Sequence, residues 1–313
     1  MTEWLRLPQI QALEAELHPM SGAGHLASAL MPGVLSANGV AIAGLDGYLF
    51  ISDGVNKWER QYLGQLPPPQ VWMDTWRMRL EARQTEAAAR GVTLVNLVIP
   101  EKQVTHPEYR WPEPYPDAQQ RPLKLLMAQL DTPVHLIYPE TELVAAKACG
   151  PVSRRHDSHW TTFGCGIVVA KLLEALSATV NFADLPLAVQ KRHATMDLSA
   201  HFFTQGAEED YLAAVPLGEV LDEDVLPELR VPGRKTGSTY RVRNPGAPDP
   251  RRVVLFADSY GYDAGLTAML SAVFADVTYL WSKNIVWDLV AARQADIVIW
   301  EGAERFMTTY PAV

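Results

Sequence analysis

The segment Arg252-Val-Val-Leu-Phe-Ala-Asp-Ser-Tyr-Gly261 changes abruptly from apolar to polar residues. Its apolar, β-branched part is typical of a strand that is buried on both faces of a parallel sheet. Open α/β sheets expose reactive groups beyond the carboxyl ends of their strands, so Ser259 is a candidate nucleophile. Ser and Asp also cap helices, and this segment alone leaves both interpretations of Ser259 open.

Extended and helical patterns alternate along the chain, which predicts an α/β fold with a parallel sheet and helices on both faces. The predicted strands are 48–51, 92–99, 134–138, 252–257, 277–281 and 297–300. The predicted helices are 7–17, 71–90, 123–130, 161–176, 265–274 and 285–293. Residues 1–43 are predicted to form an N-terminal arm, and residues 44–313 a domain with an insertion at about 177–250.

The charge of the chain argues against nucleic-acid binding. Its 313 residues carry a formal net charge of −9, whereas nucleic-acid binders need a surplus of Lys and Arg. A basic run from Arg230 to Arg252 leads into the Ser259 segment. This run could steer an anionic ligand to the site, or it could form a solvated loop that pairs with the acidic stretch 208–228.

The sequence as given predicts a cytoplasmic location. No segment approaches the roughly 18 consecutive apolar residues that a membrane span requires. The first residues, Met-Thr-Glu-Trp-Leu-Arg, do not resemble a signal peptide.

Asp157 and His159 are the candidate partners of a serine nucleophile. In an extended turn their side chains leave on the same side, so the carboxylate can reach the imidazole Nδ1–H. Nε2 can then take the proton of the serine hydroxyl. An Asp-x-His pair is common, but its position before a predicted helix, together with a strand-end serine, indicates a Ser-His-Asp triad.

A zinc site is an alternative use of the same segment. His156, Asp157 and His159, with Cys149 or Cys165, are residue types that bind zinc. The two histidines lack the i, i+4 spacing of a helical zinc site, and no glutamate base stands beside them. The sequence therefore predicts no metal and no other cofactor. For the two cysteines, buried thiols are preferred over a disulfide bridge, because Cys165 lies in an apolar stretch.

Five short blocks of the sequence occur in an order that is found in a known family. They are 44–51 (GLDGYLFI), 98–102 (VIPEK), 157–160 (DSHW) with Gly164, 256–260 (FADSY) and 296–306 (DIVIWEGAERF). As a set they resemble the alginate O-acetyltransferase family, the SGNH-hydrolase-like proteins that acetylate exopolysaccharides. The resemblance spans residues 44–306 and leaves 177–250 unmatched.

The resemblance implies a flavodoxin-like SGNH fold in which Asp-x-His precedes the serine in the chain. It also implies that Ser259 is the nucleophile, His159 the base and Asp157 the partner that orients the base. Two residues depart from the family pattern, because Ala257 stands where glycine is usual and Tyr260 where phenylalanine is common. The family is usually periplasmic or membrane-tethered, in contrast with the predicted cytoplasmic location.

Further site residues are predicted around this triad. The backbone N–H of Ser259 and the side chain of Asn284 are the candidate oxyanion donors, although Asn284 could instead cap the helix at 285. Aromatic side chains are the candidate substrate contacts: Tyr260, Trp160 and Trp111, with Tyr109 and Tyr115 in the same proline-rich loop as Trp111. The rings of that loop could stack on sugars or pack the loop onto the core.

The predicted function is an O-acetyltransferase that moves an acetyl group onto a polysaccharide or other carbohydrate hydroxyl through a serine acyl-enzyme. A carbohydrate acetyl esterase would use the same triad, and the exclusion of water would separate the two. A non-catalytic module that binds carbohydrate or a partner protein is a third hypothesis. The expected acceptor is a carbohydrate or polysaccharide; the acyl donor stays open, with a membrane-bound acyltransferase as one candidate.

Overall fold

The computed structural model describes residues 2–17, 30–111, 120–130, 136–203, 206–222, 235–262 and 264–308. The strands in these ranges are β1 Thr2–Leu5, β2 Ala41–Ala43, β3 Leu49–Ile51, β4 Thr93–Ile99, β5 Leu136–Ile137, β6 Leu187–Thr195, β7 Glu208–Ala214, β8 Glu219–Asp222, β9 Thr239–Arg243, β10 Asp249–Ala257, β11 Phe274–Trp281 and β12 Ile297–Ala303. The α-helices are α1 Leu7–Leu17, α2 Trp58–Tyr62, α3 Gln70–Ala89, α4 Lys102–Thr105, α5 Pro122–Met127, α6 Glu140–Ala146, α7 Thr162–Ala175, α8 Ser259–Tyr262, α9 Leu266–Ser271 and α10 Trp287–Ala292.

The main sheet has the strand order β5-β4-β12-β10-β11-β9-β8 among the described residues. The strands from β5 to β11 in this order are parallel, which confirms the predicted α/β, SGNH-hydrolase-like fold class. β9 and β8 continue the sheet in antiparallel orientation. These two strands were not predicted, because they lie in the segment 177–250 and β9 is only partly buried, so its apolar alternation is weak.

Both faces of the main sheet are buried, as the apolar run in β10 predicts. Val253 and Leu255 belong to a core with α1, α7 and α9, whereas Val254 and Phe256 belong to a core with α3, α5 and α10. Successive side chains of a strand point to opposite faces, so a strand covered on both sides must be apolar at every position. Burial of each such side chain contributes roughly 2 kcal/mol to folding.

A smaller antiparallel sheet of order β1-β6-β7 lies apart from the main sheet. β1 pairs with β6 from Thr2 opposite Gln190 to Leu5 opposite Leu187. The helix α1 follows directly, and its buried Glu14 accepts a 2.9 Å hydrogen bond from the backbone N–H of Thr162 at the start of α7. The segment predicted to be an arm therefore shares a sheet with part of the segment predicted to be an insertion.

The basic run before β10 is largely neutralised where the structure describes it. Arg241 pairs with Asp276 at 2.5 Å, and Arg251 pairs with Asp249 at 2.7 Å. These acids belong to β10 and β11 rather than to the acidic stretch 208–228. The predicted alternative was a solvated loop that pairs with the stretch 208–228, and these two arginines pair with other acids instead. Arg230 and Arg234 lie outside the described residues.

Across the described ranges, every helix falls short of the length and apolar character that a bilayer crossing requires.

Candidate active site

Ser259 lies where β10 gives way to α8, at the carboxyl edge of the parallel strands. The cap of this short helix is Asp258, whose Oδ1 accepts the backbone N–H of Tyr260 at 3.0 Å. Oδ2 of Asp258 accepts the N–H of Ala303 at 3.0 Å. The Ser259 hydroxyl is instead 2.8 Å from Nε2 of His159. The capping role that the sequence left open for Ser259 thus belongs to its neighbour.

Gly261 allows α8 to lie close to the sheet. A Cβ at this position would be 2.5 Å from the Cβ of Ala257 and 2.7 Å from a ring carbon of Tyr279. Both distances are far inside van der Waals contact, so a larger residue would push Ser259 away from the strand end. Ala257, the departure from the family pattern, is accommodated because Gly261 leaves room for its methyl group.

His159 lies between a carboxylate and the serine hydroxyl. Its Nδ1 is 2.7 Å from Oδ1 of Asp157, and the same oxygen accepts the backbone N–H of His159 at 2.9 Å. With the 2.8 Å contact from Nε2 to Ser259, the three side chains form the series carboxylate, imidazole, hydroxyl that proton transfer requires. Two loops one hundred residues apart in the chain therefore meet at one edge of the sheet.

The pKa values of the acid and the imidazole move in opposite directions. Burial alone would lower the pKa of His159, but the charge of Asp157, their hydrogen bond and the charge of Asp197 outweigh it, so this pKa is raised. Burial would raise the pKa of Asp157, but attraction to His159 and the hydrogen bonds from it hold this pKa well below its ordinary value. Each partner stabilises the charged form of the other.

Asp197 is a second carboxylate at the imidazole, and the sequence analysis did not find it. Its Oδ1 accepts the backbone N–H of Ser158 at 2.6 Å, and its Oδ2 accepts the Ser158 hydroxyl at 2.5 Å. Oδ2 is also 3.8 Å from Nδ1 of His159. Asp197 comes from the segment 177–250, where no local pattern marks it, so only the fold reveals its position.

Lys102 holds the loop that carries Asp157, and it was also missed. It follows β4, is buried, and donates hydrogen bonds to the carbonyls of Arg154, Arg155 and Asp157 at 2.8, 2.8 and 2.7 Å. Burial lowers the pKa of this lysine to about 7, against the opposing charge of Asp157. The available signal was its place in the block 98–102, directly after a buried strand.

The predicted substrate contacts Tyr260 and Trp160 are interior residues. Tyr260 is 2 % and Trp160 3 % exposed, and their rings meet edge to face at 4.7 Å. The Tyr260 hydroxyl donates to the Ser158 carbonyl at 2.8 Å, and the Trp160 indole N–H donates to the Ala264 carbonyl at 2.7 Å. Both rings therefore connect the Asp157 loop to the segment that carries Ser259, and their polar atoms are used internally.

The aromatic residues of the proline-rich loop are the next group of predicted contacts. Trp111 is 43 % exposed but does not line the cleft beside His159, and Tyr109 stacks on Tyr48 at 4.1 Å, which favours the loop-packing alternative. Tyr115 lies outside the described residues. Asn284 is exposed, and its backbone N–H donates to the Ser282 hydroxyl at 3.1 Å; its role as an oxyanion donor stays a prediction. The Ser259 N–H belongs to the first turn of α8, where N–H groups have no intrahelical acceptor.

The residues of the zinc alternative do not assemble. Cys165 is a buried free thiol, and Cys149 is also free but exposed, which corrects the expectation that both are buried. His156 pairs with Glu209. Among the described residues, the group whose ligand atoms could share an ion is Asp157, His159 and Asp197, yet both imidazole nitrogens are already engaged with Asp157 and Ser259.

A glutamate lies directly beneath the nucleophile turn. Glu301, near the end of β12, is buried, and its Oε2 accepts the backbone N–H of Asp258 at 3.1 Å. Burial and the neighbouring charge of Asp258 raise the pKa of Glu301 well above its ordinary value. The folded protein therefore favours the protonated form of this carboxyl beneath the turn.

A cleft of about 480 Å³ opens beside the triad. Asp157 and His159 lie at its wall, and its other walls come from β6 and β7 of the small sheet and from α8, α9 and the edge of the main sheet. The cleft thus lies where a substrate can approach the imidazole from solvent. Its lining mixes charged, aromatic and small apolar residues, which is the composition of a ligand site.

The sheet and the arrangement at its edge define the chain as an SGNH-hydrolase-like α/β enzyme. The sequence profile of the family described as "SGNH hydrolase-like domain, acetyltransferase AlgX" matches residues 41–282. The chain belongs to this family of acetyltransferases, which confirms the resemblance found in the sequence. The matched range includes 177–250, the segment that the five blocks left out.

Solved structures share the fold at low sequence identity. The O-acetyltransferase domain of Pseudomonas putida AlgJ aligns with a TM-score of 0.57 at 18 % identity, over 87 % of this chain and 94 % of that chain. Bacillus cereus PatB1 aligns with a TM-score of 0.57 at 13 % identity, over 85 % and 97 %. A DHHW family protein from Eubacterium siraeum aligns with a TM-score of 0.58 at 13 % identity, over 89 % and 94 %. No curated protein sequence matches the chain.

Proposed function

We propose that this protein is a polysaccharide O-acetyltransferase that works through an acetyl-enzyme on Ser259. The observation that carries the proposal is the series of contacts from Asp157 to His159 at 2.7 Å and from His159 to Ser259 at 2.8 Å. Membership of the acetyltransferase family supports transfer rather than hydrolysis as the net reaction.

In the first step, the Ser259 oxygen attacks the carbonyl carbon of an acetyl ester or thioester while His159 takes the hydroxyl proton. Asp157 stabilises the imidazolium that forms and fixes which nitrogen carries the second proton. The bond to the leaving group breaks, and His159 returns a proton to that group. The products are the free alcohol or thiol and an acetyl ester on Ser259.

In the second step, a hydroxyl of the polysaccharide attacks the acetyl-Ser259 carbonyl, and His159 takes its proton. Collapse of the tetrahedral intermediate releases the acetylated polysaccharide and restores the Ser259 hydroxyl with the proton from His159. The raised pKa of His159 suits this cycle, because a base must both accept and return a proton near the working pH.

The acyl donor, with a membrane-bound acyltransferase as one candidate, and the cytoplasmic location stay predictions.

The test is the substitution Ser259→Ala. We expect it to abolish the acetyl adduct seen by intact mass spectrometry after incubation with 4-nitrophenyl acetate, because the Ser259 hydroxyl is the one in contact with Nε2 of His159. We also expect acetate release to fall by roughly 10³-fold or more. The matched control is Ser177→Ala, which removes an exposed hydroxyl at the far end of α7. Retention of adduct and turnover by the Ser259→Ala protein would refute the proposal.

A further inference from the structure

Tyr262 is an exposed aromatic residue on the same helix as Ser259, and neither the triad nor the sequence analysis uses it. It is 41 % exposed, although most rings of its size near the nucleophile are buried. It ends α8 three residues after Ser259, and residues three apart on a helix project from neighbouring positions of one face. Tyr262 also lines the cleft that contains His159 and Asp157.

The Tyr262 ring is held by other aromatic rings. Tyr240 meets it edge to face at 5.6 Å between centroids, and Trp281 lies at 6.2 Å with a 46° tilt. Tyr279 supports it from the sheet at 5.6 Å. Such pairs restrict the ring to one orientation and contribute about 1 kcal/mol each. The Lys235 ammonium also lies over this ring, 5.0 Å from its centroid. The part of the ring that stays exposed beside a reactive group is a surface suited to a flat, partly apolar ligand.

A donor for a ligand's hydroxyl groups lines the same cleft as this ring. Arg154 lines the cleft, is only 7 % exposed, and its Nε makes no hydrogen bond to any residue that the structure describes. Its guanidinium lies over the Tyr211 ring at 4.2 Å, which fixes its plane. Buried donors are normally paired, so an unpaired one at the wall of a cleft indicates that a ligand supplies the acceptor.

We propose that Tyr262 is the stacking platform of an acceptor-sugar subsite, with Arg154 as its hydrogen-bond donor. A pyranose ring has an apolar C–H face that packs on an aromatic ring and an equatorial rim of hydroxyl oxygens that accept hydrogen bonds. The cleft offers both partners next to the imidazole that must activate one of those hydroxyls. The inference rests on the proposed function, and it replaces Tyr260, Trp160 and Trp111 as the aromatic substrate contacts.

The experiment compares acetyl transfer with hydrolysis in Tyr262→Ala, Tyr262→Phe and the wild type. The donor is 4-nitrophenyl acetate, and the acceptors are an alginate tetrasaccharide and cellotetraose, with the acetylated product quantified by mass spectrometry. We expect Tyr262→Ala to raise the KM for the accepted tetrasaccharide by roughly 10-fold or more, the loss of one stacked ring. Hydrolysis of the donor without acceptor should stay within about twofold of wild type. Tyr262→Phe keeps the ring and should behave like the wild type.

Trp4→Ala is the matched control, since Trp4 is a more exposed aromatic residue on β1 that does not line the cleft. An unchanged acceptor KM in Tyr262→Ala, or transfer by the wild type to neither tetrasaccharide, would overturn the subsite. Equal losses of donor hydrolysis and transfer in Tyr262→Ala would overturn it too, because they mean that the ring supports the nucleophile helix. Failure of the proposed function is a separate result: it would be seen as acetylation that does not depend on Ser259.

Discussion

At the scale of single residues, the charges around His159 set the pH at which the imidazole can act as a base. Asp157 makes the direct contact, and Asp197 adds a second negative charge at 3.8 Å from Nδ1. Arg154 opposes them, since its charge lowers the pKa of His159. The side chain of Asp197 is 43 % exposed, so solvent screens its effect more than that of the buried Asp157.

Substitution of Asp197 by Asn should move the acid limb of the pH–rate profile to lower pH. The carboxylate helps to raise the pKa of His159, so its removal lets the neutral imidazole persist at lower pH. The measurement is kcat/KM for 4-nitrophenyl acetate as a function of pH, and the shift should be small because solvent screens Asp197. The control Asp210→Asn removes an exposed carboxylate of β7 that pairs with His193 instead. A limb that stays in place, or moves to higher pH, would show that Asp197 does not act on the imidazole electrostatically.

At the scale of elements, the triad depends on how a loop, a strand end and a short helix are fastened together. The loop before α7 has little regular structure of its own, and three of its carbonyls are satisfied by the single ammonium group of Lys102. The Tyr260 hydroxyl joins the same loop to α8. These contacts replace the hydrogen bonds that a regular element would provide, since buried carbonyls need partners.

Substitution of Lys102 by Met should impair both stability and catalysis. Methionine fills a similar volume but removes the donor to the buried carbonyls of Arg154 and Asp157, whereas the Arg155 carbonyl keeps the N–H of Leu49. We therefore expect a loss of about 3 kcal/mol in urea unfolding. We also expect kcat for donor hydrolysis to fall by roughly 10-fold or more, because the Asp157 carboxylate loses its fixed position. The control Lys171→Met removes an exposed ammonium of α7 and should change stability by less than about 0.5 kcal/mol. Equal behaviour of the two variants would contradict this role for Lys102.

The sequence predicted the residues whose signals are local. Ser259 follows an apolar run, and Asp157 and His159 share one turn before a helix, so spacing and polarity were enough to select them. Asp197 and the proposed sugar contact Tyr262 depend on residues distant in the chain, and no local pattern marks such contacts. For Lys102 the available signal was its place in the block 98–102, after a buried strand. The parallel strands were predicted because their buried apolar runs are a local signal. The strands β6 to β9 were not predicted, because exposed antiparallel strands carry more polar residues.

At the scale of the whole molecule, the buried carboxyl of Glu301 couples the stability of the fold to pH. Its folded-state pKa is raised by burial and by Asp258, while the unfolded value is about 4.3. Between these two values the folded protein binds more protons than the unfolded chain. The contribution of Glu301 to stability is therefore fully present below about pH 4.3 and is lost as pH rises towards the folded-state pKa.

Substitution of Glu301 by Gln should remove the loss of stability that ionisation of Glu301 causes as pH rises. Gln keeps an acceptor for the Asp258 N–H and cannot ionise. As pH rises from 5 to 8, the free energy of unfolding of the variant should therefore increase relative to that of the wild type. The gain cannot exceed about 1.4 kcal/mol per pH unit. Urea midpoints of both proteins at the two pH values measure it, with the exposed Glu81→Gln as control. A difference between variant and wild type that is constant with pH would contradict a raised pKa.

The side chain of Glu14 has a practical consequence for anyone who trims this gene. Family alignment starts at residue 41, yet the first turn of the helix that follows the catalytic loop is closed by a carboxylate from residue 14, and a border strand of the small sheet comes from residues 2–5. A clone cut to the aligned range would discard both. The range that aligns with the family is therefore shorter than the range that folds together in this protein, and recombinant versions should keep residues 2–17.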